Sequence, residues 1–284
     1  MIRRGIELGF SVKVITPQSF DRDWVVSSDF IIFNNFYCFD TSLFHFLLKV
    51  VWEYNKPYVI YSHDHRDIIG EDTARPRFAR VWFNRSFLNV FISPMHRNNF
   101  LEHLGEVINP VFILTPPIDT DFFYPRDVPR RLNSVVNLTG RLVSSKGMLN
   151  VYKWAVANPS FAIDVYTKYA DGTSGKLLSA RPNISIHGPI PYKMLPRIYS
   201  ESSHVIHLPV ALEAAGRTLI EGALCGCGVI MNDRVGVASF KDEDLPIGSR
   251  NILRRGIREG PYRFWRAVAD YFGRLNRHQP RMYW

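Results

Sequence analysis

Cysteine is scarce in this chain, with Cys38, Cys225 and Cys227 the only three in 284 residues. Three thiols give no disulfide framework, so a reducing compartment is the default expectation. No run of about 18 apolar residues occurs, which leaves no candidate for a membrane-spanning helix. The N-terminus carries Arg3 and Arg4 but reaches Glu7 without a long apolar stretch, so it has no signal-peptide pattern. Internal repeats and low-complexity tracts are missing too. No helix-turn-helix or zinc-finger pattern is present to read a nucleic-acid groove. These absences point to a cytoplasmic chain.

Acidic residues are outnumbered, 26 against 35 Lys and Arg, and the formal charge of +9 implies a basic surface. Hydrophobic content of 46% is enough for a core, and the length suits one large domain or two ordinary ones. Much of the positive excess falls late, at Arg250, Arg254, Arg255, Arg258, Arg263 and Arg266, followed by Arg274, Arg277 and Arg281. Tyr262, Phe264, Trp265, Tyr271 and Phe272 interleave them. That pattern reads first as a solvated helix face with aromatics packed inward, and the sharper alternative is a contact with an anionic membrane surface or polyanionic acceptor.

Short β-branched and aromatic runs alternate with helical patterns, the signature of parallel α/β layers. Strands are expected at residues 10–15, 30–33, 58–61, 90–92 and 111–114, then at 134–138, 162–166, 184–186, 205–208 and 228–231. Helices are expected at 41–54, 97–104, 149–156, 191–200 and 217–225. The polar segment 124–133 has the composition of a linker. Two doubly wound, Rossmann-like domains facing across a cleft follow, with ligand at the strand C-termini. The boundaries expected are 1–126 and 127–260, with a helix at 261–284 packing back on the first domain. Residues 2–8 read as a helix feeding the strand at 10–15. A doubly wound domain ordinarily places a strand and a Gly-rich turn before such a helix, so the first domain is expected to lack its first strand, through a late start or a reduced fold.

The most informative stretch is Glu213-Ala214-Ala215-Gly216-Arg217-Thr218-Leu219-Ile220-Glu221. It follows the strand-like His204-Val205-Ile206-His207-Leu208-Pro209 and opens a small-residue helix. The first-turn amides of such a helix lack partners and its dipole favours an anion. Two carboxylates at an anion site have to hold something hydroxylated, so the segment reads as a nucleotide-sugar site. A second stretch, Val135 through Gly147, ends a strand at Gly140 and then displays Arg141 and Lys146 from a loop. Guanidinium and ammonium together suit a diphosphate.

These pieces resemble the retaining glycosyltransferases of family four, which have the GT-B fold. The resemblance rests on Gly140-Arg141 with Lys146-Gly147, on Glu213 through Glu221, and on Cys225-Gly226-Cys227-Gly228-Val229-Ile230. Pro116-Pro117-Ile118-Asp119-Thr120-Asp121 is similar to the family's interdomain segment. What the resemblance implies is a retaining, hexosyltransferase-type enzyme using a UDP- or GDP-sugar. Arg141 and Lys146 would hold the diphosphate, Glu213 the sugar hydroxyls and Glu221 the ribose. Amides of Ala215, Gly216 and Arg217 would approach sugar and phosphate, and the base would lie near His187-Gly188-Pro189, at Gly188. Ala215 departs from the larger residue common in relatives, which leaves the donor sugar open. The acceptor would be a glycan, a lipid-linked sugar or another hydroxyl compound. The competing class is a non-catalytic sugar-nucleotide or nucleic-acid binder; a GT-B-like epimerase or phosphorylase accounts less well for the paired glutamates.

His63-Asp64-His65-Arg66 follows the strand at 58–61. The resemblance makes His63 a catalytic contact to the transferred sugar; capping by Asp64 between exposed histidines, or a His63–His65 metal pair, are the other readings. Three Asp-x-Asp triplets (Asp21-Arg22-Asp23, Asp119-Thr120-Asp121 and Asp242-Glu243-Asp244) lack the strand approach of a metal–diphosphate motif and read as turns. No metal and no cofactor is expected.

Overall fold

A computed structural model describes residues 1–34, 41–65, 74–105, 109–240 and 247–278 of the chain. Cys38, Arg66 and the Asp242-Glu243-Asp244 triplet lie outside the described residues. The chain divides into two compact units, Met1–Pro117 with Glu259–Trp284, and Ile118–Arg258. Each is built on an all-parallel sheet with helices between strands, as the sequence periodicity predicts.

The first unit opens with α1 (Ile2–Glu7) and α2 (Arg22–Ser27). It continues through β1 (Ile31–Asn34), α3 (Thr41–Glu53), β2 (Tyr58–Tyr61), α4 (Ala74–Arg85), β3 (Leu88–Phe91), α5 (Pro94–Leu104) and β4 (Val111–Ile113). Its strand order is the chain order, β1-β2-β3-β4. Right-handed crossovers in such an order place every connecting helix on the same face. Strand residues alternate accordingly. Phe33, Tyr58, Ile60 and Phe91 share a cluster with Leu47, Val50, Trp82, Phe83 and Phe100 of the helices. Val59, Leu88, Val90 and Leu114 point the other way, towards Phe264, Trp265 and Val268.

Those last three residues belong to α10 (Arg250–His278), the long C-terminal helix. The helix expected from residue 261 thus begins earlier, at Arg250, with Pro261 in its interior. Tyr271 stacks on Phe87 at 4.7 Å, and the Trp265 indole donates to the Met1 carbonyl at 3.0 Å. Gly5 lets α1 lie against the same indole, since a Cβ there would sit 2.6 Å from it. Residues 10–15 form no strand. Phe10 and Val12 join the α10 cluster and Ile15 the opposite one, which is strand-like alternation, but among the described residues no ladder pairs the segment with a strand.

The second unit contains β5 (Arg131–Leu142), α6 (Met148–Ala157), β6 (Ala162–Ala170), α7 (Gly172–Ser179) and β7 (Ile184–His187). It ends with α8 (Leu195–Glu201), β8 (Ser202–His207), α9 (Arg217–Leu224) and β9 (Gly228–Met231). The order β7-β6-β5-β8-β9 reverses direction at β5 and β8, a topological switch point. Segment 124–133 is not a free linker. The Arg130 guanidinium donates to carbonyls of Ser200, Cys225 and Gly226, and β5 starts at Arg131.

Three helices go unpredicted by periodicity. Helices α2 and α7 are short, and the side chains of Asp21 and Asp171 cap them by accepting from Trp24 and Ser174 amides. Helix α4 is rich in arginine and weak in apolar spacing. Helix α5 starts at Pro94 instead of residue 97 because Ser93 caps it with proline in the first turn. Among the described residues no helix is long and apolar enough to cross a membrane.

Phe264, Trp265 and Val268 are each at most 2% exposed. At roughly 1.5–3 kcal/mol per buried side chain, their loss removes a sum comparable to a domain's whole stability. Deleting the chain after Gly260 should therefore raise amide exchange in β2, β3 and β4 while β5 to β9 stay protected. New exchange confined to residues 134–233 would refute this account of the helix.

Candidate functional site

The C-terminal ends of β5 and β8 bring the two most distinctive motifs together. Strand β5 runs through Arg141 to Leu142, past the end at Gly140 that the sequence suggests, and a 3-10 turn follows over Ser144–Lys146. Gly147 then takes the left-handed conformation, φ 81°, with the Leu208 carbonyl so close that a Cβ would fall 1.7 Å from its oxygen. No side chain fits there. Amides of Val210 and Ala211 donate to the Ser145 carbonyl at 3.1 Å, tying the loop after β8 to this turn.

That tie places Lys146 on Glu213. The ammonium lies 2.5 Å from Oε2 of the carboxylate, and Nε2 of His207, the last residue of β8, lies 3.7 Å from the same oxygen. The backbone of Glu213 is fixed by its amide donating to Arg234 and its carbonyl accepting from Gly236. Burial pushes this carboxyl up, but His207 and Lys146 outweigh it and hold Glu213 down at about 2. Among the described residues Oε1 has no hydrogen-bond partner. Nδ1 of His207, 5% exposed, likewise has none.

Helix α9 begins one step further on. Gly216 occupies its N-cap at φ 79°, where a Cβ would meet Val235 at 2.3 Å. No side chain caps the helix, and among the described residues the amides of Gly216, Arg217 and Thr218 donate to no acceptor. Ala215 is buried, and its carbonyl accepts from Val237 at 3.0 Å. Glu221 is 5% exposed; its Oε2 accepts from the buried Tyr199 hydroxyl at 3.3 Å, and Arg217 lies 3.5 Å from Oε1. Burial raises the Glu221 carboxyl, while Arg217 and Tyr199 pull it back.

Other sequence-predicted residues fall further apart. Arg141 is exposed, with its guanidinium 5.7 Å from the Tyr169 ring, and makes no contact with Lys146 or Glu213 among the described residues. Gly188 follows β7 with open space where a Cβ would stand. Beside it His187 stacks on Tyr166 at 4.6 Å and reaches Asp164 at 2.8 Å. His63 lies in the first unit, exposed, 5.7 Å from the Tyr61 ring. His65 is buried, contrary to a reading of two exposed histidines, and accepts at Nδ1 from Asn99 at 2.8 Å. It packs edge-on against His96, whose ring burial and the neighbouring His65 lower to about 3. Among the described residues no group of three or more acidic, His or Cys side chains could hold a metal.

The aspartate triplets that are described are structural. Asp21 caps α2, Asp119 accepts from the amides of Asp121 and Phe122, and Asp121 pairs with Arg254 and Arg258. Cys225 and Cys227 are fully buried or nearly so, and burial first, with their mutual proximity at Cys225, pushes both thiols to about 12. His207 and Tyr199 were not singled out by the sequence. A histidine ending a strand directly before Leu208-Pro209 was the available sign of the first.

No protein-family model matches the chain, and no curated protein matches its sequence. Among solved structures it is similar to HepE of Anabaena in complex with UDP and glucose, at 15% identity and TM-score 0.62, over 90% of this chain and 79% of HepE. It is similar to sucrose-phosphate synthase from Thermosynechococcus elongatus, at 17% identity and TM-score 0.57, over 88% of this chain and 73% of that one. The pneumococcal O-GlcNAc transferase GtfA, in complex with UDP and GlcNAc, gives 15% and 0.54, over 88% of this chain but only 54% of GtfA. These neighbours are GT-B glycosyltransferases, and with the two parallel sheets they establish a fold of two Rossmann-like domains of that type.

Glu213 has a depressed carboxyl, so its stabilisation is complete above the unfolded value near 4.5 and is lost as pH falls towards about 2. Over that window the wild type should lose on the order of 2–3 kcal/mol more stability than Glu213→Gln. Urea denaturation at stepped pH measures it. Parallel acid limbs in the two proteins would show that Glu213 is not held ionised.

Proposed function

We propose that the protein is a retaining glycosyltransferase that moves a sugar from a UDP- or GDP-sugar to a hydroxyl acceptor, with no metal. The observation that carries this is the ionised Glu213, gripped by Lys146 beside the uncapped start of α9, at the switch point of a GT-B fold. Support comes also from HepE, crystallised with UDP-glucose, and from its complex with UDP and glucose.

In this scheme the donor diphosphate takes the open amides of Gly216 and Arg217, where the helix dipole and first-turn N–H groups favour an anion. Lys146 and Arg141 supply the balancing charge. Glu213 accepts from a hydroxyl of the sugar through Oε1, and Glu221, steadied by Tyr199, accepts from the ribose. The backbone at Gly188 receives the base. His63 contributes from the first domain by bonding a hydroxyl of the transferred sugar. The C1–oxygen bond to the diphosphate breaks as the acceptor oxygen bonds to C1 on the same face, and the acceptor proton passes to the leaving phosphate oxygen. No protein nucleophile is needed. Catalysis is then positioning together with stabilisation of the leaving diphosphate. The acceptor meets the first unit, Met1–Pro117 with the chain from Glu259, while Ile118–Arg258 bind the donor. Arg263 and Arg266, exposed on α10, give that first unit a basic surface suited to peripheral contact with an anionic membrane carrying a lipid-linked acceptor.

Two tests follow. Transfer from UDP-glucose or GDP-mannose, assayed in excess EDTA, should fall at least about a hundredfold in Arg141→Ala and Lys146→Ala, as expected when a charge on the leaving group is removed. Near-native turnover in either variant sinks the diphosphate assignment, and loss of wild-type turnover to EDTA sinks metal independence. Calorimetry with free UDP and GDP should show weakened binding for Glu221→Gln and little change for Glu213→Gln. The opposite pattern would exchange the two carboxylates' roles.

A further inference from the structure

Lys146 faces two demands in this site. It is the ion-pair partner of Glu213 as the protein stands, at 2.5 Å, and the proposed function assigns it to the donor diphosphate. A phosphate that draws the ammonium away would leave Oε2 of a largely buried carboxylate without its donor, which is costly. Among the described residues one other side chain faces that oxygen, His207 at 3.7 Å. It comes from β8, whereas Lys146 comes from the turn after β5, so each approaches independently. Arg234 also faces Glu213, through its backbone carbonyl alone.

The state of the His207 ring follows from its surroundings. Nδ1 is buried with no partner among the described residues. A proton there would be a stranded donor, which costs more than a stranded lone pair. The ring therefore carries its proton on Nε2, facing Oε2 of Glu213. A closing movement of roughly 0.7 Å brings 3.7 Å into hydrogen-bond range.

We propose that His207 is a positioning residue that takes over Oε2 of Glu213 when Lys146 turns to the donor diphosphate, so that Oε1 stays available to the sugar hydroxyl. This rests on the donor reading for Lys146, but the part played by His207 is testable without any donor. Lys146→Met mimics departure of the ammonium. The Glu213 carboxyl, followed by carbon NMR during a pH titration, should keep a midpoint within the ordinary carboxylate range in Lys146→Met. The midpoint should rise by about one unit or more in Lys146→Met/His207→Leu, since loss of a close donor shifts a carboxylate by that order. Lys146→Met/His207→Gln, which restores an N–H at the position of Nε2, should return it. Equal midpoints in the single variant and the leucine double variant overturn the proposal. In the otherwise native protein His207→Leu should cut kcat/KM for the sugar nucleotide about tenfold, with His207→Gln within about twofold of wild type. Should wild type fail to bind UDP and GDP by calorimetry, the donor reading falls, while the titration still decides whether His207 holds the carboxylate.

Discussion

A parallel sheet has to be covered on both faces, and strand order decides what covers it. In the first unit the order follows the chain, so the three crossover helices share one face and the other would be bare. The chain supplies the cover from its far end: Phe264, Trp265 and Val268 of α10 lie on Val59, Val90 and Leu114, with α1 wedged against the indole through Gly5. In the second unit the order reverses at β5 and β8, so that crossover helices fall on both faces, joined on one of them by Leu253 and Ile257 of α10. The same reversal opens a gap between adjacent strand ends. Lys146 and Glu213 emerge from the two sides of that gap.

The gap is held by backbone contact before any charge is considered. Gly147 against the Leu208 carbonyl sets the turn after β5 on the end of β8, and Gly216 against the Val235 side chain sets the start of α9 on the loop after β9; neither contact admits a Cβ. Only then does a 2.5 Å ion pair form across them. A carboxylate that is partly buried and anchored at both its amide and its carbonyl loses little freedom on meeting a ligand, which is the condition for an acceptor group that must select one hydroxyl geometry. Glu221 is arranged differently. Burial raises its carboxyl against the pull of Arg217 and of the buried Tyr199, whereas the partners of Glu213 lower that one.

Much of the fold was legible because parallel strands buried on both faces write themselves as apolar runs; β2 and β9 fall where the periodicity puts them. The site motifs were legible for a similar reason, since Gly147 and Gly216 are needed by backbone geometry and Lys146, Glu213 and Glu221 are charged groups at strand ends. What escaped was set by tertiary contact. The 10–15 segment has the pattern of a strand, yet among the described residues no ladder pairs it with a strand, and the Phe10 amide turns back to the Gly5 carbonyl. Helix α7 contains Gly172, Gly175 and Ser174, poor helix formers that Asp171 rescues from outside the helix. Partners under the glutamates escaped as well. His207 ends a strand and Tyr199 lies within α8, and neither position tells what side chain lies opposite it.

The two cysteines of α9's far end give the protein an unexpected practical property. With their thiols pushed to about 12, the thiolate fraction of Cys225 and Cys227 at neutral pH is on the order of one in 10⁵, far below that of an ordinary cysteine. Alkylating dyes act on thiolates, so both residues are kinetically silent while the second unit stays folded. Labelling at either site would report the opening of the β8–α9–β9 layer.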